Sequence, residues 1–239
     1  MEGTVGLIGS LLSIIMINIV LSGDNAVVIA MATMRLPGRQ KKMGIIWGTA
    51  GAILLRILLT VIAASILDIP YIRTVGGVLL AWIAVRLLKD NQDEKEHKAS
   101  EELFEAIKTI IIADLLMSLD NVLAVAGASR GHFDLLIIGL VFSIPLVIGG
   151  STVISGLMVK WPWLILIGAG LLGWTAGEMI LGEPYLAFAR AWEAVNYGLP
   201  ALSALAVIFA GKLGVKKMEQ GSGTEVSAGK QTGVEKNAP

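Results

Sequence analysis

Seven long apolar stretches dominate this chain, and each is close to the length needed to cross a bilayer. A hydrocarbon core about 30 Å thick takes roughly 20 helical residues. The stretches fall at about residues 6–34, 44–67, 71–89, 108–129, 134–159, 163–181 and 199–215, the last being short and beginning near Pro200. Their length and lack of alternation disfavour a β-barrel. Backbone polar groups find no water inside the hydrocarbon, so spans of this kind must satisfy them within a helix. The expected fold is therefore an all-α polytopic membrane protein with seven transmembrane helices. Composition agrees: 55% of the 239 residues are hydrophobic and only 16% are charged, against about 25% charged in a soluble domain.

The charges that remain are clustered, and they set an orientation. With the N-terminus outside, the cytoplasmic loops and the start of the tail hold Arg35, Arg39, Lys41, Lys42, Lys89, Lys95, Lys98, Lys108, Lys160, Lys212, Lys216 and Lys217. The outer loops hold Arg73, Arg130 and Arg190. This bias places the N-terminus outside and the C-terminus in the cytoplasm of a cell-membrane protein. Glu2 and the absence of early Lys or Arg argue against a signal peptide, so the first stretch reads as a retained span. Residues 90–106 form a charged cytoplasmic loop that can continue as a helix into the fourth span. Residues 219–239 read as a disordered cytoplasmic tail. Zero formal net charge removes the basic field that nucleic acid would require. There is no cysteine, which excludes disulfides and thiolate metal sites. His97 and His132 fall in predicted loops.

Two apolar stretches carry the same polar pair. LSGDNAVVIA (21–30) returns as MSLDNVLAVA (117–126), matching Ser22 with Ser118, Asp24 with Asp120, Asn25 with Asn121, and earlier Asn18 with Asp114. IPYIRTVGGVLLAW (69–82) returns as WPWLILIGAGLLGW (161–174), with Pro70, Gly76 and Trp82 matching Pro162, Gly168 and Trp174. The chain thus reads as a duplicated three-helix unit, 6–89 and 108–181, followed by a seventh helix, 199–215. Three spans per unit is an odd number, so the second unit lies upside down relative to the first. Inverted repeats are a recurrent plan of secondary transporters, with the substrate near the midplane where the repeats meet. Duplication can also serve packing symmetry alone, but here the polar residues repeat as well as the apolar frame.

Asp24, Arg56, Arg86, Asp114, Asp120 and Glu178 all fall inside predicted spans. Each would cost about 2.5–3.5 kcal/mol at the bilayer centre on insertion scales. They must pair, protonate, line water or hold a cation. Asn18, Ser22 and Asn25 share one helical stripe, as do Asp114, Ser118 and Asn121. Gly23 makes a break before Asp24 plausible; Leu119 stands in its place before Asp120. Carboxylate, amide and hydroxyl oxygens suit Mg²⁺, Ca²⁺ or Mn²⁺. A thioether from the nearby Met16 or Met117 would tilt the choice towards the softer Mn²⁺. Interhelical hydrogen bonding is the structural alternative for the Asp-Asn pairs. Arg86 and Glu178 occupy equivalent repeat positions and could form an ion pair or gate. Arg56 could neutralise one aspartate when the site is empty.

The pairing of LSGDNAVVIA with MSLDNVLAVA on the first and fourth of seven helices resembles the TerC family of integral membrane proteins, over about residues 7–215. The GDN form with its short linker is similar to the compact bacterial YjbE/YkoY-type branch. The resemblance implies Mn²⁺ export across the cytoplasmic membrane, with Asp24, Asn25, Asp120 and Asn121 at the ion site. Asn18 and Asp114 join them through the repeat, Asp114 as a third ligand or a proton carrier. Leu119 departs from the Gly of the first motif. No tightly bound cofactor is expected, the Mn²⁺ being substrate. The rival readings are transport of another ion such as Ca²⁺ or Mg²⁺, and a membrane scaffold that delivers Mn²⁺ to exported enzymes. No HExxH, Ser/His/Asp set or nucleotide loop is present, so an enzyme is not expected. The expected partners are the lipid bilayer and a divalent ion. Gly-rich spans such as GGVLLAW would also permit close helix contact, inside one protomer or across a homodimer.

Overall fold

The computed structural model describes residues 23–67, 69–91, 99–129 and 133–234. The described residues form α1 (Gly23–Thr33), α2 (Gly38–Leu67), α3 (Ile72–Asp90), α4 (Ala99–Ser129), α5 (Phe133–Lys160), α6 (Trp163–Leu181) and α7 (Glu193–Val234). Two single-turn 3₁₀ helices, Pro184–Leu186 and Ala189–Ala191, join α6 to α7. Among the described residues there is no strand. Among the described residues four segments are long and apolar enough to cross a membrane: Gly38–Thr60, Ile137–Lys160, Trp163–Leu181 and Glu193–Leu213. Their outer surfaces are apolar: Leu54 and Leu58 on α2, Phe142 and Leu146 on α5, and Phe209 on α7 are each more than half exposed. Lipid, unlike water, accepts such a belt without penalty. The chain is an all-α integral membrane protein.

Several helices outrun the apolar stretches that mark them. Residues 99–106, placed in the charged loop, are the first two turns of α4. Glu101 and Glu102 lie in that first turn, where carboxylates complement the positive end of the helix dipole. The tail expected to be disordered from residue 219 is helical as far as Val234. No proline falls between 201 and 234, so no residue there lacks the N–H that the helical ladder needs. Pro200 lies inside α7, not at its start.

The main core joins α1, α3, α4, α6 and α7 through Ala30, Leu80, Ala84, Ala113, Leu172, Ala176 and their neighbours. Small residues let these helices close on one another. A β-carbon at Gly177 would lie 2.5 Å from Pro200 Cα, and one at Gly77 would lie 2.6 Å from the Ala176 carbonyl. α3 and α6 run antiparallel. Gly77, near the start of α3, meets Ala176 and Ile180, near the end of α6. A second, smaller cluster of Ile29, Ile45, Ile110 and Val147 joins α1, α2, α4 and α5.

The α6–α7 connection clamps the start of α3. Glu183, 2% exposed, accepts the backbone N–H groups of Tyr71 at 3.2 Å and Thr74 at 3.3 Å. It therefore satisfies donors that a helix N-terminus leaves open. Tyr71 holds a left-handed conformation, φ 63°, and stacks on Tyr185 at 5.3 Å between ring centroids. In return, Arg73 donates to the Gly182 carbonyl at 2.6 Å, and Arg190 to that of Leu181 at 2.7 Å. Cations here cap the negative end of α6.

Two substitutions test this packing. Glu183→Ala leaves the Tyr71 and Thr74 amides without their acceptor and should cost about 1–3 kcal/mol, read as a lower thermal midpoint in detergent. Gly177→Val should likewise cost about 1–3 kcal/mol or more by overpacking against Pro200. An unshifted midpoint in either variant would show that the contact is not formed.

Candidate ion site

One face of α2 carries Thr49, Ala52, Ile53 and Arg56, spaced i, i+3, i+4 and i+7, a single stripe of a helix. That stripe looks into a cavity of about 20 Å³, enough for about one water-sized guest. α1 supplies Asn25, Val28 and Ile29; α4 supplies Ile110 and Asp114; α5 supplies Ser143 and Val147. The polar wall is well shielded: Thr49 is 2% exposed, Ser143 4%, Asn25 5% and Arg56 6%. Gly48 and Gly51 bring α2 onto α4, since β-carbons there would lie 2.7 Å and 2.6 Å from the Cδ1 atoms of Ile110 and Ile111.

A closed ring of charge-assisted bonds forms one side of the cavity. Arg56 Nη2 meets Asp114 Oδ1 at 2.5 Å. Arg56 Nε donates to Ser118 Oγ at 2.9 Å, and Ser118 Oγ donates to Asp114 Oδ2 at 3.2 Å. Both carboxylate oxygens are thus engaged. Ser118 can play this part because it stands one turn beyond Asp114, at i+4. Thr60 stands one turn beyond Arg56 and donates to its carbonyl at 2.8 Å.

Thr49 differs from the other hydroxyls of these helices. Thr33, Thr60, Thr152 and Thr175 each donate to the carbonyl four residues back, the usual way a helix satisfies a threonine. Thr49 Oγ1 is buried with no hydrogen-bond partner among the described residues, and Thr49 lines the cavity. It is an oxygen donor held ready in an apolar setting.

The structure brings Asn25, Asp114 and Arg56 together from the residues singled out in the sequence. Asp24 lies beside them, partly buried; its Oδ1 accepts the Asn25 backbone N–H at 2.9 Å. The charges of Arg56 and Asp114 act on its carboxylate. Asp120 and Asn121 lie on α4, which continues unbroken through them to Ser129; their side chains are outside the described part. Asn18 and Met16 lie outside the described residues, and α1 is described only from Gly23, the residue at which a break was expected. Met117 is buried in the main core and does not line the cavity, so its thioether is not offered there. Among the described residues no three His, Cys, Asp or Glu side chains gather as a metal cluster.

The expected Arg86–Glu178 pair does not form. Arg86 pairs instead with Glu105 at 3.0 Å and Asp90 at 3.5 Å, at the far end of α3. Because α3 and α6 are antiparallel with Gly77 beside Ala176 and Ile180, Glu178 lies level with Gly77. Nine helical residues, about 13 Å, then separate it from Arg86. Equivalent positions in inverted helices coincide only at their crossing point, and this pair is far from it. Thr49, Ser143 and Glu183 carry no mark in the sequence: the two hydroxyls lie outside the repeated polar stripes, and Glu183 lies in the loop after the sixth apolar stretch.

A second, open cavity of about 310 Å³ lies between the ends of α1 and α3 and the start of α4. Arg35, Arg86, Asp90, Glu101, Glu102 and Glu105 are among its lining residues. On α1 and α4 the two cavities are adjacent. Val28, Ile29 and Ile110 line the inner one, and Met31, Ala32, Ala106 and Thr109 line the outer one.

A helical bundle with an apolar belt outside and an ion-paired polar cavity inside has the make-up of an integral membrane protein. The chain belongs to the integral membrane protein TerC family, whose profile matches residues 5–220. It is 47% identical over 202 residues to the membrane protein YjbE of Bacillus subtilis (strain 168), covering 84% of this chain and 93% of that protein. It is 22% identical over 237 residues to YkoY of the same organism, covering 86% and 72% of the two chains. The tellurium resistance protein TerC of an Alcaligenes species is 35% identical over 80 residues, 32% of this chain and 23% of that protein. No solved structure matches.

A double-mutant cycle measures what the ion pair contributes. Arg56→Met alone and Asp114→Leu alone each leave one buried charge without its partner and should each cost about 3–5 kcal/mol. Arg56→Met with Asp114→Leu should recover most of that loss. A double variant as unstable as the sum of the single ones would show that the two charges do not interact.

Proposed function

We propose that this protein is a secondary transporter that moves Mn²⁺ out of the cytoplasm. The observation that carries the reading is the convergence of oxygen-bearing side chains from four helices, Asn25, Thr49, Asp114 and Ser143, on one small buried cavity. In this reading the chain crosses the membrane seven times, with the N-terminus outside and the C-terminus inside. Two inverted three-helix units precede α7. The antiparallel contact of α3 with α6 supports the inversion, since these are the third helices of the two units. Asp24, Asp120, Asn25 and Asn121 complete the ion site by their match to the family motif. Asn18 and Asp114 take equivalent places in the two units.

The chemistry of the cavity suits a hard divalent cation. Mg²⁺ keeps several of its waters, and Ca²⁺ takes 6–8 oxygen ligands. A cavity of about 20 Å³ admits an ion only after most of its water is shed, and the choice of Mn²⁺ among the hard cations rests on the family resemblance. The acidic outer cavity, one turn away along α1 and α4, would concentrate cations at the entrance from the cytoplasm.

The test is Mn²⁺ flux in proteoliposomes. The wild type should transport, and Asp114→Asn should lose about tenfold or more of the initial rate. Thr49→Val, which removes one neutral donor and keeps the shape, should lose several-fold. Excess Ca²⁺ should compete weakly. Mn²⁺ bound without flux would favour the scaffold reading, and flux better competed by Ca²⁺ or Mg²⁺ would reassign the cargo.

A further inference from the structure

Arg56 poses a problem for any cation that enters the cavity. Its guanidinium holds one oxygen of Asp114 at 2.5 Å, while Ser118, itself held by Arg56 Nε, occupies the other. A dication that takes Asp114 as a ligand shares the carboxylate with Arg56 only against the repulsion of two cations a few ångströms apart, and so competes with it. Guanidinium stays charged in proteins, so Arg56 cannot escape the conflict by losing a proton. Tethered on α2, it competes at a high effective concentration. The reverse step has a matching difficulty. Once the dication leaves, an unneutralised carboxylate deep in the membrane opposes any movement of the empty site. Thr49 shows that the cavity is not completed by the pair: its hydroxyl lines the same space without a hydrogen-bond partner among the described residues.

We propose that Arg56 is a tethered counter-cation, holding Asp114 while the site is empty and yielding it to the arriving divalent ion, so that the emptied transporter can return without cargo. This rests on the transport reading. The site alternates between two electrostatically satisfied states, one closed by the guanidinium and one by the substrate. Arg56 weakens substrate binding, because each binding event must displace it. It also removes the barrier that would otherwise restrict the protein to exchanging one bound ion for another. Arg56 is thus a positioning residue that acts on the cargo through Asp114.

Two measurements test this on the full-length protein. In proteoliposomes, net Mn²⁺ flux requires the site to return empty, whereas Mn²⁺/Mn²⁺ exchange does not. Arg56→Gln should lower the ratio of net flux to exchange by about tenfold or more, and Arg56→Lys, which keeps a tethered cation, should recover much of it. In detergent, Mn²⁺ titration followed by electron paramagnetic resonance should show Arg56→Gln binding Mn²⁺ several-fold more tightly than the wild type. Only the fraction that elutes as a monodisperse peak would be titrated. An unchanged ratio in Arg56→Gln, or weaker Mn²⁺ binding, overturns the proposal. Failure of the transport reading is seen separately, as neither flux nor exchange in the wild type; the titration then still decides whether Arg56 competes for Asp114.

Discussion

The ion pair of Arg56 with Asp114 is the constraint around which the rest of the site is arranged. Two opposite charges among apolar helices are tolerated only if they meet and if their remaining hydrogen-bonding capacity is used. Ser118 meets that requirement by bridging guanidinium and carboxylate. The bridge needs α2 and α4 close together, and Gly48 and Gly51 give up their side chains to Ile110 and Ile111 at that contact. A pair that also formed the whole wall would be inert. Asn25, Thr49 and Ser143 extend the polar surface past it, so the charge has somewhere to be redirected.

The helices divide into two groups around this constraint. α1, α2, α4 and α5 enclose the cavity and share the small cluster of Ile29, Ile45, Ile110 and Val147. α3, α6 and α7 pack against each other through Gly77, Gly173 and Gly177. Glu183, Arg73 and Arg190 lock their ends together. Close glycine contacts and capped helix ends make the second group suited to a fixed frame. The polar cavity of the first group is where a change of charge would be felt. This division sets α1, α2, α4 and α5 apart from α3, α6 and α7.

Much of this was legible in the sequence, for a physical reason. Apolar stretches report where a helix meets lipid, and α6 (Trp163–Leu181) has the same bounds as its stretch. Hydropathy says nothing about how far a helix continues into water, which depends on dipole and propensity. α2 therefore starts at Gly38 just past Pro37, α4 starts at Ala99 with its two glutamates, and α7 continues past its apolar part. The charged residues of the site stand out because burying charge is costly, so Asp114 and Arg56 were visible. Thr49 was not, because a threonine in a spanning helix normally satisfies itself on the preceding turn, as Thr33 and Thr60 do. Nothing in the sequence marks the one that does not. The Arg86–Glu178 pairing failed because repeat equivalence gives position within each unit, not distance between units.

The cavity is tested most directly by anomalous diffraction at the manganese edge, from crystals of the full-length protein grown with Mn²⁺. The strongest peak should lie between Asn25, Thr49, Asp114 and Ser143, within bonding distance of the Asp114 carboxylate, with Arg56 turned away from it. A peak elsewhere, with Arg56 still seated on Asp114, would contradict the assignment of this cavity as the ion site.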